Sequence, residues 1–234
     1  MKNLMIDIET LSIKQNAVVW SIGIQPFSFM DGLPLCIGRG EFHYLDPTEQ
    51  AERVTASGAH TSDETIRWTM SHGDATSFSP WYARFQTEFD GGPRLEPDNW
   101  PYACMQVRHL HDYLLRLAGP ENDCLFWAKG KEFDLGILAH MFAECRLPPP
   151  WNYRNAMCLR TMDGMLRNLG VNVPKFSGGH NAISDAQAQI AGLSQMTQLL
   201  AGALLYKLEV APSFKDADAD ASAGNEFGQR PSQS

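Results

Sequence analysis

Two carboxylates stand two residues apart near the start of the chain, in Leu4-Met5-Ile6-Asp7-Ile8-Glu9-Thr10. The apolar residues around them read as a short buried strand. Side chains alternate faces along a strand, which puts Asp7 and Glu9 on one side, roughly 7 Å apart along the backbone, and Leu4, Ile6 and Ile8 on the other. Two acids on a buried strand repel each other and lose hydration, a cost that a metal ion, a shared proton or a basic partner relieves. A solvated strand end that merely carries two acids is the plain alternative, and this stretch alone does not choose between them.

Three later residues could share a site with this pair. Asp134 lies near the start of a predicted helix, after the short apolar run Leu125-Phe126-Trp127-Ala128. Asp185 opens the last predicted helix, with Ser184 as its expected N-cap, and His180 precedes it by five residues in a glycine-rich loop. Each has an ordinary explanation: an acid in a first helical turn is favoured by the macrodipole alone, and a loop histidine is commonly just solvated.

The order of the residues is more specific than any one of them. It runs D-x-E on the first strand (Asp7-Ile8-Glu9-Thr10-Leu11), then Phe126-Trp127-Ala128-Lys129-Gly130-Lys131-Glu132-Phe133-Asp134, then His180-Asn181-Ala182-Ile183-Ser184-Asp185. This resembles the DEDDh branch of the DnaQ-like 3′–5′ exonucleases, over roughly residues 2–205. The form of the second motif and the segment around Trp68 look most like the phage DexA-like exonucleases and related bacterial exoribonucleases.

The resemblance implies a ribonuclease H-like α/β fold, a mixed β-sheet flanked by helices. It implies a metal-dependent hydrolase that releases nucleoside 5′-monophosphates from single-stranded 3′ ends of DNA or RNA. Asp7, Glu9, Asp134 and Asp185 would hold two divalent cations, and an all-oxygen ligand set suits Mg²⁺ or Mn²⁺ rather than zinc. His180 would be the general base, a role that suits histidine because its unperturbed pKa lies near 6.5. Thr10 and Leu11 would contact the terminal nucleotide, Leu11 as a wedge against a base, and Phe133 would pack on a base or sugar. Several relatives form dimers, so a homodimer is among the expectations. A short-oligonucleotide phosphodiesterase or RNA-trimming exoribonuclease is the alternative within this chemistry. A catalytically inactive nucleic-acid-binding module is the alternative outside it, although such a module has no physical need for clustered acids. For stacking, Trp68 and Trp127 are candidates, and Lys129 and Lys131 could reach phosphate; core packing and simple solvation are the competing roles.

The elements that must carry these residues fit one sizeable domain within 234 residues. Strands are expected at 4–10, 17–24 and 35–45, and a capping box at Thr61-Ser62-Asp63-Glu64 precedes a short helix through Ile66, Trp68 and Met70. Residues 73–100, rich in Gly, Pro, Ser and aromatics, read as an irregular surface insertion. Helices are expected from Pro101 to about 118, from 131 to 146, from 158 to 169 and from 185 to about 208. The catalytic domain then spans 1–210, and 211–234 is an acidic tail of disordered composition.

Composition limits the rest. The net charge is −8 and the pI about 5.3, which disfavours holding nucleic acid by bulk electrostatics but not through bound cations. The five cysteines form no CxxC pair, so free thiols are expected rather than a zinc knuckle or disulfide framework. No apolar run approaches the ~20 residues of a membrane span. With no signal-peptide pattern before the first strand, the expected location is the cytoplasm, that of the host if the protein is phage-encoded.

Overall fold

The computed structural model describes residues 2–91, 103–120, 123–176 and 178–210. Seven strands form one mixed sheet: β1 (Asn3–Thr10), β2 (Val19–Met30), β3 (Leu33–Cys36), β4 (Glu41–Leu45), β5 (Cys104–Met105), β6 (Leu125–Ala128) and β7 (Ala156–Cys158). Their order is β5-β4-β2-β1-β6-β7, with β3 extending the far end of β2. The strand bearing the two acids is central, antiparallel to β2 and parallel to β6. Seven helices flank the sheet among the described residues: α1 (Pro47–Ser57), α2 (Asp63–His72), α3 (Ala75–Phe89), α4 (Val107–Ala118), α5 (Asp134–Glu144), α6 (Leu159–Asn168) and α7 (Ala182–Val210). This is the mixed sheet flanked by helices that the sequence led us to expect.

The alternation along β1 builds both layers. Leu4, Ile6 and Ile8 pack with Leu110 and Leu114 of α4 and Leu138 and Met141 of α5. Met5, on the face that also carries Asp7 and Glu9, packs with Leu166 of α6 and with Ala186, Ile190 and Leu193 of α7. Fully burying one such side chain contributes about 1.5–3 kcal/mol, so the two layers hold β1 from both sides. Gly23 is paired with Asp7 across the β1–β2 ladder. A Cβ there would overlap the Ala182 backbone, so the absence of a side chain lets the first turn of α7 rest on the sheet beside the acids.

A third cluster joins α1, α2 and α3 to the near end of β2. Trp20 lies against Phe78 and Trp81, with ring centroids 5.0 and 6.4 Å away, and the Trp81 indole N–H donates to Leu45 O at 2.6 Å. This corrects the reading of residues 73–100 as an irregular insertion. Residues 75–89 are α3, capped by Asp74 and packed through Phe78, Trp81 and Phe85. Those residues follow helical spacing, but Pro80 inside the helix and the flanking glycines mask it. The remainder of that stretch, 92–100, lies outside the described residues, as does the tail 211–234.

Other boundaries also move. The stretch 35–45 forms parts of two strands, β3 and β4, rather than one. The helix expected from Pro101 begins at Val107, after the two-residue strand β5. A three-residue strand, β7, precedes α6 where none was expected, and α7 begins at Ala182 rather than Asp185. Cys36, Cys124, Cys145 and Cys158 are free thiols. No helix among the described residues is long and apolar enough to cross a membrane.

Candidate active site

Asp7 and Glu9 project from the centre of the sheet, and Asp185 comes down to them from the first turn of α7. One ligand oxygen from each of the three lies within 4.8 Å of the others. Asp134 and His180 line the same cavity, of about 220 Å³, together with Phe133, Arg160 and Gln189. The structure thus gathers the five residues singled out in the sequence into one pocket.

Each acid is placed by its local backbone. Asp134 is buried in the first turn of α5, where Gly130 N–H donates to its Oδ2 at 3.4 Å. The loop before α7 wraps the Asp185 carboxylate, with Gly178 N–H donating to its Oδ1 at 2.7 Å. A Cβ on Gly178 would overlap that oxygen, so the loop approaches so closely only because the residue is glycine. The N-cap of α7 is Asn181, whose Oδ1 accepts from Ile183 N at 3.2 Å and Ser184 N at 3.4 Å. This corrects the assignment of the cap to Ser184, whose hydroxyl instead donates to Asn181 O.

His180 sits just before that cap with φ +58°, a left-handed conformation uncommon for a non-glycine residue. Its ring stands edge-on to Trp68 of α2, centroids 4.9 Å apart at 88°, and Trp68 is stacked in turn on His72. The imidazole is exposed. The aromatic contact to Trp68 gives this loop residue a fixed neighbour, and Asn181 anchors the loop further by donating to Asp74 Oδ2 at 3.5 Å.

The electrostatics of the acids are unfavourable as they stand. Burial, followed by repulsion from Asp134, Glu9 and Asp185, raises the Asp7 pKa well above the ordinary carboxylate range. Burial and the charges of Asp185, Asp134 and Asp74 push Glu9 up to about 7. Burial raises Asp134 to about 6 against the opposing pull of backbone N–H groups and Arg160. None of the four acids takes part in an ion pair among the described residues.

A pH dependence of stability follows. Carboxyls in the unfolded chain titrate near 4, so at intermediate pH the folded protein holds protons that the unfolded chain has released. The resulting stabilisation is complete below the unfolded values and is lost as pH rises through about 6 to 7. For Glu9 alone it amounts to about 3 kcal/mol. Without divalent ions, the melting temperature is expected to fall between pH 5 and pH 8. Adding Mg²⁺ or Mn²⁺ at pH 8 is expected to restore it. Scanning fluorimetry with and without a chelator checks both, and a metal-free melting temperature that rose across this range would contradict the strain assigned to these acids.

Several residues of the site were not foreseen. Gln189 lies four residues after Asp185 on α7, hence on the same helix face, and donates through Nε2 to Asp7 Oδ1 at 2.6 Å. Its own Oε1 is buried without a partner among the described residues. The i,i+4 relation to Asp185 was the available signal. A second cavity, of about 380 Å³, opens beside Glu9 and is lined by Thr10, Ile13, Ser62, Thr65, Trp68 and Phe133 among others. Trp68 is 42% exposed and Ile13 81% exposed. Leu11, by contrast, is fully buried with Val18 and Trp20, so the expected wedge at Leu11 is corrected: its side chain faces the core and Ile13 carries the apolar surface. Trp127 is likewise buried, its N–H donating to Asn3 Oδ1 at 3.1 Å, and packs rather than stacks.

Comparison with known proteins follows the same line. No curated protein sequence matches significantly. Among solved structures, the chain is similar to the nuclease domain of 3′hExo, a DEDDh family member, bound to rAMP. The identity is 14% and the TM-score 0.47, over 84% of this chain and 92% of that one. It is also similar to E. coli ExoI in a metal-free complex with single-stranded DNA, at 15% identity and TM-score 0.47, covering 93% of this chain but 44% of ExoI. A family model matches residues 2–197, which contain every residue of the acid cavity. The chain belongs to the family of Rv2179c-like 3′–5′ exoribonuclease domains.

Proposed function

We propose that the protein is a divalent-metal-dependent 3′–5′ exonuclease acting on single-stranded ends, with RNA as the favoured substrate, and that it releases nucleoside 5′-monophosphates. The observation that carries this reading is the convergence of Asp7, Glu9 and Asp185 within 4.8 Å, in a cavity that also holds Asp134 and His180. Lys129 and Arg160 line the same cavity, yet none of these half-buried or buried acids is in an ion pair among the described residues, so the cluster still calls for counter-charge, and its oxygen donors fit Mg²⁺ or Mn²⁺. Asp7, Glu9, Asp134 and Asp185 would hold two such ions, which when bound supply Lewis-acid stabilisation of charge at the scissile phosphate.

The chain's own groups do the rest. Gln189 fixes the Asp7 carboxylate through its amide N–H, and Gly178 fixes that of Asp185. His180 takes the proton of the attacking water, a transfer typically worth 10²–10⁴-fold when the base is positioned. The cavity beside Glu9 receives the terminal nucleoside. Trp68, Phe133 and Ile13 offer apolar surface for its base, and Ser62 and Thr65 offer hydroxyls near its sugar, whereas the Thr10 hydroxyl donates to Ser12 O at 2.7 Å and Thr10 contributes wall. Among the described residues no lysine or arginine lines that cavity, which suits a 3′ end bearing hydroxyls rather than phosphate.

The test is digestion of matched RNA and DNA oligonucleotides, labelled at either end, with Mg²⁺ or Mn²⁺. The reading expects mononucleotide release from a 3′ label, a shortening ladder from a 5′ label, and faster decay of RNA. Internal cleavage, or release from the 5′ end, would overturn it.

A further inference from the structure

A separate cavity of about 340 Å³ lies on the other side of the acids, between α6, the loop before α7 and α7 itself. It shares Lys129, Arg160, Phe176 and Gln189 with the acid pocket, so the two adjoin. The chain is acidic, with 19 basic residues against 27 acidic ones, yet Lys129, Arg160, Arg167 and Lys175 all line this cavity. Arg167 is engaged by Asp163 at 2.9 Å. Lys129, Arg160 and Lys175 take part in no ion pair among the described residues. Three cations outside any ion pair among the described residues therefore bring positive charge to this side of the acids, where an anion can be met.

Two of the lining groups are seated by glycines. The Arg160 guanidinium lies against Gly130, where a Cβ would come within 2.8 Å of Nη1. The Phe176 ring lies across Gly192 of α7, where a Cβ would overlap it. The cavity therefore presents one seated guanidinium, two further lysines and an aromatic face, the pairing by which proteins hold a single strand: cations track the backbone and rings stack on bases. Among the described residues, neither lysine nor arginine lines the cavity on the Trp68 side.

We propose that the α6 cavity is the track for the strand on the 5′ side of the scissile bond, with Lys129, Arg160 and Lys175 meeting upstream phosphates and Phe176 stacking on an upstream base. The inference rests on the exonuclease reading and gives it a direction. A 3′-terminal nucleotide brings no phosphate beyond the scissile one and enters the cavity without cations. The phosphates immediately upstream pass along the cavity that has them, and a diribonucleotide with a free 5′ hydroxyl brings none of these. Substrates of several nucleotides are then favoured over a dinucleotide, and that preference is sensitive to salt.

Lys175 is the discriminating position, because it lines the α6 cavity and not the acid pocket. The experiment compares kcat/KM for a heptaribonucleotide and a diribonucleotide in wild type, Lys175→Glu and Lys175→Arg. In wild type the heptamer is expected to be the better substrate. Lys175→Glu is expected to lower the heptamer-to-dimer ratio by about tenfold at low salt and to reduce the salt slope for the heptamer by about 0.7, the value for one phosphate contact on a single strand. Lys175→Arg is expected to keep the ratio. Equal loss on both substrates, or no loss on the heptamer, overturns the track. Anisotropy of a labelled heptamer decides the case independently of turnover. Weakened binding by Lys175→Glu supports the track even if wild type hydrolyses neither substrate, a result that would count against the exonuclease reading instead. Unchanged binding overturns the track.

Discussion

Asp7→Asn is expected to leave a folded protein that has lost hydrolysis of a 3′-labelled oligonucleotide by on the order of 10³-fold or more. Asp7 sits at the centre of the sheet, with its carboxylate among those of Glu9, Asp134 and Asp185, so removing its charge weakens the ligand set where both ions would bind. Loss of several kcal/mol of transition-state stabilisation is on the order of 10³-fold in rate. The same substitution is expected to raise the melting temperature of the metal-free protein at pH 8. Asn keeps the shape and the oxygen that accepts from Gln189, while the repulsion from three neighbouring acids disappears. Loss of activity together with gain of stability is a signature that a merely structural role for Asp7 cannot produce. Single-turnover hydrolysis in Mg²⁺ and a thermal melt in chelator measure the two halves. Wild-type-like turnover by this variant would sink the metal-site reading.

That trade between stability and function explains why the acids were so legible in the sequence. Carboxylates on a strand that otherwise reads Leu-Met-Ile-Ile are costly, and cost of that kind stands out against an apolar background. The period of two then put Asp7 and Glu9 on the face that α7 covers, as found. The Leu11 wedge came from the resemblance rather than from that period. β1 ends at Thr10, where its register with β2 shifts around Trp20, and beyond the strand end alternation no longer says which way a side chain points. Leu11 therefore turned into the core and Ile13 outward. The helix α3 was illegible for a different reason: its aromatic stripe, Phe78, Trp81 and Phe85, depends on tertiary contact with Trp20, while Pro80 and the flanking glycines signal irregularity locally. The three-residue strand β7 is too short to show any period. Residues such as Arg160 and Phe176 belong to the site through chain crossings alone. The glycines that seat them, Gly130 and Gly192, are indistinguishable in sequence from glycines of a turn or a packed helix.

His180 provides the second large effect, and the variant of choice is His180→Asn. The residue has φ +58°, which asparagine tolerates better than most side chains, so the loop is expected to keep its course from Gly178 to the Asn181 cap. The imidazole is lost, and with it the acceptor for the proton of the attacking water. The rate at pH 7 is expected to fall 10²- to 10⁴-fold, the usual contribution of a placed general base. Stabilisation by Mn²⁺ at pH 8 is expected to persist, because the carboxylates of Asp7, Glu9 and Asp185 remain gathered. The pH–rate profile separates this role from a structural one. The variant is expected to keep rising with pH as hydroxide replaces the missing base, so that its deficit shrinks at alkaline pH. A variant whose deficit stayed constant across the range would instead place His180, with its edge-on contact to Trp68, in the packing of the loop, and the proton would have to leave by another group.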